Sequence, residues 1–296
     1  MLIDNTLLRE YKIIKPLEKG WSSDKKYYAE TEDGKKHLLR ISDISEYSRK
    51  KREFENVKKL SAAGIKMSYP IGFGICNGGK HVYQILSWCE GEEAKEVLSD
   101  LTDAEQYAYG QKAAKTLKQM ESVNHKPPSM GWLALYKQRV EHYIELYKNC
   151  GVTFPDDGII LDYLQTHDTC IGERPTALMH EDFQTDNMVI SPDGELSIID
   201  FQMCGETDPY LVMTGAGVSA EFSPAFAMGQ MDEYFVGPVP DDFWDKYNYY
   251  MVAEMLYAFT VAVTIEEEKE AAFHMFEGEV LRIKNDELRI PKWYRK

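Results

Sequence analysis

Apolar positions interleaved with polar ones over residues 11–17, 26–31 and 36–41 read as short strands, with Asp33-Gly34 placed as a tight turn between the last two. Three sequential antiparallel strands are the simplest arrangement. Over residues 45–63 the pattern changes: Tyr47, Phe54, Val57 and Leu60 recur at roughly helical spacing, and Gly64 is placed to end the helix. Two more strands are expected at 71–75 and 81–88, around an Asn77-Gly78-Gly79 turn. The expectation is a small five-stranded sheet carrying one helix, with Glu90-Gly91-Glu92 as the boundary between a domain over 1–90 and another over 91–296.

Beyond that boundary the pattern turns helical. Thr102 and Glu105 have the spacing of a capping box, and Tyr109, Ala113, Leu117 and Met120 give the helix that follows one buried face. A second helix is expected over 132–148, with Leu133, Tyr136, Val140, Tyr143 and Tyr147 at intervals of three and four, and two more around 241–265 and 267–285. The longest apolar stretch, 255–265, is too short to span a bilayer and follows charged Glu254. The N-terminus MLIDNTLLRE has neither the basic segment nor the apolar core of a signal peptide, so a soluble protein is expected.

Charge narrows the field of partners. Across 296 residues, 34 basic and 49 acidic side chains give a net charge of −15, which opposes a general role in binding nucleic acid or anionic membrane. The distribution is uneven: residues 1–90 carry +5 and the rest −20. Any anionic ligand must therefore find a local basic site. The five cysteines are scattered and form no metal-binding spacing, which reads as reduced thiols in a cytoplasm.

The chemistry is concentrated between the helical stretches. His180-Glu-Asp182 is followed after four residues by Asn187, then by a Ser191-Pro-Asp-Gly194 turn and by Ile199-Asp200-Phe201. Phosphoryl transfer from a magnesium nucleotide needs a carboxylate near the acceptor hydroxyl and two oxygen ligands for the metal. Asp182, Asn187 and Asp200 supply that set in kinase order. Asp182, Asp186 and Asn187 also suit a plain turn between helix and hairpin, but a five-stranded lobe before the motif and a helical lobe around it favour the catalytic reading.

With these residues the chain resembles the aminoglycoside phosphotransferase family, relatives of choline, homoserine, methylthioribose and macrolide kinases, over nearly its whole length. The family pattern of His-Gly-Asp-x4-Asn, Ile-Asp-Phe and a later Asp-Pro matches His180, Asp182, Asn187, Ile199-Asp200-Phe201 and Asp208-Pro209. The resemblance implies an α+β, protein-kinase-like fold of two lobes and an enzyme using Mg²⁺ with ATP or GTP as phosphoryl donor. It makes Asp182 the base or orienter of the substrate hydroxyl, Asn187 and Asp200 the metal ligands, and His180 a brace of the loop. Leu86-Ser-Trp-Cys-Glu-Gly91 resembles the interlobe hinge, with the Ser87 carbonyl and the Cys89 amide as adenine contacts. Ser22 and Ser23, in Gly20-Trp-Ser-Ser, stand where the phosphate loop lies, although a plain turn fits them equally.

Arg40 takes the place of the family's phosphate-binding lysine, and Glu53 is the best match for the helix acid that pairs with it, with Glu55 close by. The alternative for Arg40 is an outward-facing place on an edge strand. Two departures stand out: Glu181 replaces the glycine beside the base, where it touches a cationic substrate or repels phosphate, and no acid follows Asp208-Pro209 within Tyr210-Leu-Val-Met.

The acid-rich second part suits a cationic small-molecule acceptor, aminoglycosides first, by steering and by paired carboxylates. An aromatic cage for choline remains open with 19 tyrosines and 5 tryptophans, as do sugar, macrolide and homoserine acceptors. A protein acceptor is disfavoured by the missing Ala-Pro-Glu segment. The competing class is a non-catalytic, nucleotide-binding module on the same fold. Nothing in the sequence reads out an oligomeric state.

Overall fold

The computed structural model describes residues 9–17, 24–125, 131–285, 287–288 and 290–294. In the first lobe, strands β1 (Tyr11–Leu17), β2 (Lys25–Thr31) and β3 (Lys36–Asp43) lead into helix α1 (Tyr47–Ala62), then strands β4 (Pro70–Cys76) and β5 (His81–Ser87). These form one five-stranded sheet in the order β1-β2-β3-β5-β4, every neighbouring pair antiparallel. The β2–β3 hairpin closes at Gly34, whose φ of +81° is open to glycine at no steric cost.

The strand period sorts the two faces. Tyr27, Ala29, Leu39, Ile41 and Ile85 make an apolar cluster on one face. Lys26, Arg40 and Gln84 are direct cross-strand neighbours on the other, where the Gln84 amide donates to the Lys50 carbonyl of α1 at 3.2 Å. Helix α1 buries Lys50, Glu53, Phe54, Val57 and Leu60, so its inner stripe carries two charges as well as apolar groups. That mixed stripe is what a helix needs when it borders a polar cleft.

The second lobe begins with the short strand β6 (Glu92–Glu93) and helices α2 (Ala94–Ser99), α3 (Asp103–Val123), α4 (Trp132–Asn149) and α5 (Asp157–Thr166). Four short strands follow, β7 (Ala177–His180), β8 (Met188–Ile190), β9 (Leu196–Ile198) and β10 (Cys204–Thr207). Helices α6 (Pro209–Val212), α7 (Thr214–Ala220), α8 (Pro224–Phe235), α9 (Phe243–Ala262) and α10 (Lys269–Lys284) complete it. The expected capping box starts α3, with the Glu105 amide donating to Thr102 Oγ1 and the Thr102 amide to Glu105 Oε2. Helices α2, α5, α6, α7 and α8 have no counterpart in the sequence reading.

Two apolar cores hold this lobe. One joins Val57 and Leu60 of α1 to Leu117 and Met120 of α3 and to Phe183 and Ile198 around the motif, so the lobes share side-chain packing. Backbone bonds reinforce it: the Ser68 amide donates to the Ile198 carbonyl and the Ile198 amide to the Lys66 carbonyl, both at 3.0 Å. The other core packs α4, α5, α9 and α10 around Tyr136, Tyr147, Phe259 and Phe276. Among the described residues, no helix is long and apolar enough to cross a membrane, and all five cysteines are free thiols.

Helices α3 and α8 meet at backbone distance. A Cβ at Gly110 would lie 1.9 Å from the Phe226 carbonyl oxygen, and one at Gly229 would lie 2.1 Å from that of Tyr107. Gly110→Ala is therefore expected to cost about 1–3 kcal/mol by forcing the helices apart. Gly158→Ala, in α5 with nothing within 4 Å of the added methyl, is expected to leave stability unchanged or raise it. The urea unfolding midpoints of the two variants check the contrast.

Candidate active site

Strand β7 is buried throughout and delivers His180 to the cleft floor. His180 Nε2 donates to the Ile199 carbonyl at 2.9 Å while Nδ1 accepts the Asp182 amide at 3.2 Å. One fully buried ring thus ties the loop carrying Asp182 to the strand end carrying Asp200, and Phe201 packs edge-on against it at 4.7 Å. The Asp182 carboxylate accepts from Gln184 Nε2 at 2.7 Å through Oδ1 and from Asn187 Nδ2 at 2.6 Å through Oδ2. Because the Asn187 amide nitrogen is turned to Asp182, its Oδ1 faces the other way. The Ile199 amide donates to the Asn187 carbonyl at 2.9 Å, which couples Asn187 to the Asp200 segment.

Asp200 stands at φ +60°, a left-handed conformation that an Asp tolerates better than most side chains. Its Oδ1 accepts from Arg40 Nη1 at 2.7 Å, and its Oδ2 lies 3.4 Å from Lys26 Nζ. Burial raises the Asp200 pKa, and Arg40 and Lys26 outweigh that to leave it below the ordinary carboxylate value.

Arg40 is on an inner strand, 1% exposed, and not on an edge. Its Nε and Nη2 donate to Asp24 Oδ2 at 3.1 and 2.8 Å, and Nη2 also donates to Gln202 Oε1 at 2.8 Å. The expected direct pairing with Glu53 is replaced by a relay. Asp24 takes Lys50 Nζ at 2.5 Å, and Lys50 lies 3.3 Å from Glu53 Oε2, one turn along α1. The reason is placement: Lys50, fully buried, fills the space between the two carboxylates and leaves Glu53 no direct ion pair with Arg40 among the described residues. Glu55 is exposed and pairs with Lys58. Burial pushes the Asp24 carboxyl up, but Arg40 and Lys50 overcome it and hold it at about 2.

The hinge segment is partly engaged already. The Ser87 carbonyl accepts the Ser68 hydroxyl at 2.7 Å, and Ser87 Oγ accepts the Tyr69 amide at 2.9 Å, so the expected adenine acceptor also holds the connection between α1 and β4. Burial raises the Cys89 thiol to about 11. Beside the hinge, a cavity of 400 Å³ is lined by Ile13, Lys15, Leu17, Tyr28 and Trp88. Tyr28 lies two residues along β2 from Lys26 and meets Trp88 edge to face at 5.0 Å. Ser22 and Ser23 lie outside the described residues.

Next to Asp182, Glu181 is already paired. Arg139 of α4 donates to it through Nη1 at 2.6 Å and lies over the rings of Trp132 and Tyr136 at 5.9 and 5.7 Å. Behind the pair, Glu254 of α9 accepts from the hydroxyls of Tyr136 at 2.9 Å and Tyr143 at 3.2 Å. Burial pushes Glu254 up to about 7, against the pull of Arg139 and Tyr136. Asp208, fully buried, is held by Arg174 at 3.1 Å and by the Tyr250 hydroxyl at 2.8 Å.

Sequence reasoning did not find Asp24, Lys26, Lys50, Gln202 or Arg139. Glu254 did leave a signal, since it is the one charge between Met251 and Ile265 in an otherwise mostly apolar run. Among the described residues no cluster of three or more His, Cys, Asp or Glu is arranged as a metal site. Asp200 with Asn187 nonetheless offers the oxygen donors that a hard divalent cation takes.

A family model described as the phosphotransferase enzyme family matches residues 13–245. Comparison with curated proteins by sequence gave no match. Among solved structures, a thermostable mutant of aminoglycoside phosphotransferase APH(4)-Ia is similar with a TM-score of 0.71 and 14% identity, over 94% of this chain and 98% of that one. Amicoumacin kinase hAmiN, in complex with AMP-PNP, Ca²⁺ and Ami, is similar with a TM-score of 0.67 and 15% identity, over 99% and 93%. A putative fructosamine-3-kinase from Haemophilus somnus 129PT gives 0.68 and 11%, over 91% of both chains. At these identities the likeness is one of fold.

Proposed function

Since the chain belongs to the phosphotransferase enzyme family, we propose that it moves the γ-phosphoryl group of a magnesium nucleotide, ATP or GTP, onto a hydroxyl of a cationic small molecule in the cytoplasm. The observation that carries this reading is the single hydrogen-bonded unit of Asp182, Asn187 and the Ile199-Asp200 strand end, facing Lys26 and Arg40 across the cleft. Asp182 orients the acceptor hydroxyl and takes its proton as the oxygen bonds to the γ-phosphorus and the bridging oxygen departs with the nucleoside diphosphate. Asn187 Oδ1 and Asp200 are the residues to hold Mg²⁺, which when bound supplies charge neutralisation at the phosphates. His180 keeps both segments in register, and the cavity at Tyr28 and Trp88, with the Ser87 carbonyl and Cys89 amide nearby, suits the nucleoside.

Glu181 and Glu254 support an amine-bearing acceptor, with aminoglycosides leading. Glu181, paired with Arg139, and Glu254, held by the Tyr136 and Tyr143 hydroxyls, put two carboxylates against one guanidinium charge in this region, an environment that accepts ammonium groups. Choline, homoserine, sugars and macrolides complete the panel. Nucleotide turnover by a coupled assay with Mg²⁺ and either ATP or GTP tests the reading: amine-bearing acceptors are expected to stimulate turnover most. Nucleotide binding without stimulation by any acceptor would instead favour a binding module.

The pH dependence follows from Glu254. Its charge develops as pH rises through about 7, so KM for an amine-bearing acceptor should fall across that range and Glu254→Gln should flatten the profile. For stability the sign is opposite. The folded chain keeps a proton that the unfolded chain loses between 4.5 and about 7, so this group removes stability progressively over that window. Relative to Glu254→Gln, the wild-type urea midpoint is expected to be lower at about pH 8 than at about pH 5.

A further inference from the structure

We infer that Lys26, and not Arg40, is the strand cation that contacts the nucleotide's phosphates, while Arg40 braces Asp200. The inference rests on the nucleotide-cleft reading above and deepens it. Lys26 and Arg40 are direct cross-strand partners on one face of the sheet, and each reaches one oxygen of Asp200. What separates them is how firmly each is held.

A guanidinium has five N–H groups. Arg40 spends four of its hydrogen bonds within the protein, two on Asp24, one on Gln202 and one on Asp200, and is 1% exposed. Turning it to a phosphate would leave the buried Asp24 carboxylate with Lys50 and Ser42 alone and strand the Gln202 oxygen. The cost of leaving a buried charge short of partners opposes that motion.

Lys26 is different in each respect. Among the described residues its ammonium meets only Asp200, at 3.4 Å, and an ammonium carries three donors on a flexible stem. It is therefore the contact Asp200 gives up most readily on taking a divalent cation. Its position also fits. Tyr28, at the cavity beside the hinge, is the next residue on the same face of β2, about 6.6 Å away along the strand. Lys26 thus stands between a cavity suited to a nucleoside and the Asp200 carboxylate, which is where the phosphates of a nucleotide must lie.

The test uses the full chain with Lys26→Met, Lys26→Arg, Arg40→Lys and Asp200→Asn. Calorimetry with adenosine, ADP and a non-hydrolysable ATP analogue, and with their guanine counterparts, is run with and without Mg²⁺ beside thermal unfolding of the ligand-free proteins. Lys26→Met is expected to lose about tenfold or more in affinity for the di- and triphosphate, with nucleoside affinity and melting temperature unchanged and Lys26→Arg recovering part of the loss. Arg40→Lys is expected to lower the melting temperature.

Two results would overturn the inference. One is wild-type phosphate affinity in Lys26→Met while Asp200→Asn loses its Mg²⁺-dependent share, which leaves the phosphotransferase reading standing. The other is an equal loss for nucleoside and nucleotide, which would make Lys26 merely structural. A wild-type chain that binds none of the nucleotides would remove both the inference and the reading beneath it.

Discussion

Replacing Asp182 by Asn is expected to lower kcat by about 10²–10⁴-fold while the affinity for magnesium nucleotide stays near wild type. On the proposed function the carboxylate takes the hydroxyl proton, so its removal acts on the transition state rather than on nucleotide binding. The geometry adds a condition. Asp182 receives amide N–H groups from both Gln184 and Asn187, and an Asn in its place offers only one acceptor oxygen, so one of those donors must turn away. Asp182→Asn therefore needs its nucleotide affinity measured by calorimetry with and without Mg²⁺, beside single-turnover kinetics. An unchanged Mg²⁺ dependence with lost turnover is the expected pair. Turnover kept within about tenfold would remove Asp182 from the chemistry.

Lys50→Met is expected to have the largest effect on stability, about 3–5 kcal/mol. Lys50 is fully buried between Asp24, at 2.5 Å, and Glu53, at 3.3 Å. Methionine matches its length but leaves two buried carboxylates facing each other. Asp24 keeps Arg40 and Ser42, but among the described residues Glu53 keeps only Arg49, at 4.0 Å. Lys58→Met on the exposed side of the same helix breaks a pair with Glu55 in which both partners are half exposed, and is expected to cost less than about 1 kcal/mol. The unfolding midpoints of the two variants in urea distinguish a buried network from general loss of charge on the helix. Equal midpoints would mean that water reaches Lys50.

The strands and long helices were legible because their local signals agree with their tertiary surroundings: the alternation in β2 buries Tyr27 and Ala29, the Thr102–Glu105 box starts α3, and the stripe of α4 buries Tyr136, Val140, Tyr143 and Tyr147. The motif of Asp182, Asn187 and Asp200 was legible for a different reason, since the three lie within one short stretch with fixed spacing. The ion network was not. Arg40 was placed as a cleft cation, but its partners Asp24 and Gln202 are 16 and 162 residues away, and Lys50 looks in sequence like any other charge of α1. Burial decides which of these charges matter, and burial is a property of packing. Helices α7 and α8 escaped because Gly215, Gly217 and Gly229 weaken a helical pattern in sequence yet sit at close contacts here: Cβ positions at Gly215 and Gly229 lie 2.1 Å from the Phe183 and Tyr107 carbonyls, and that at Gly217 2.0 Å from the Tyr247 hydroxyl.

The measurement that bears most directly on the account is the fate of the γ-phosphate. Full-length protein is incubated with Mg²⁺, ATP or GTP, and the panel of amine-bearing and neutral hydroxyl compounds, and each mixture is read by mass spectrometry for a phosphorylated acceptor. The account predicts phosphate on a hydroxyl of an amine-bearing compound, absent when Asp182→Asn or Asp200→Asn replaces the wild type. Nucleotide hydrolysed to free phosphate with every acceptor unmodified, or an acceptor phosphorylated equally by the Asp182→Asn variant, would contradict it.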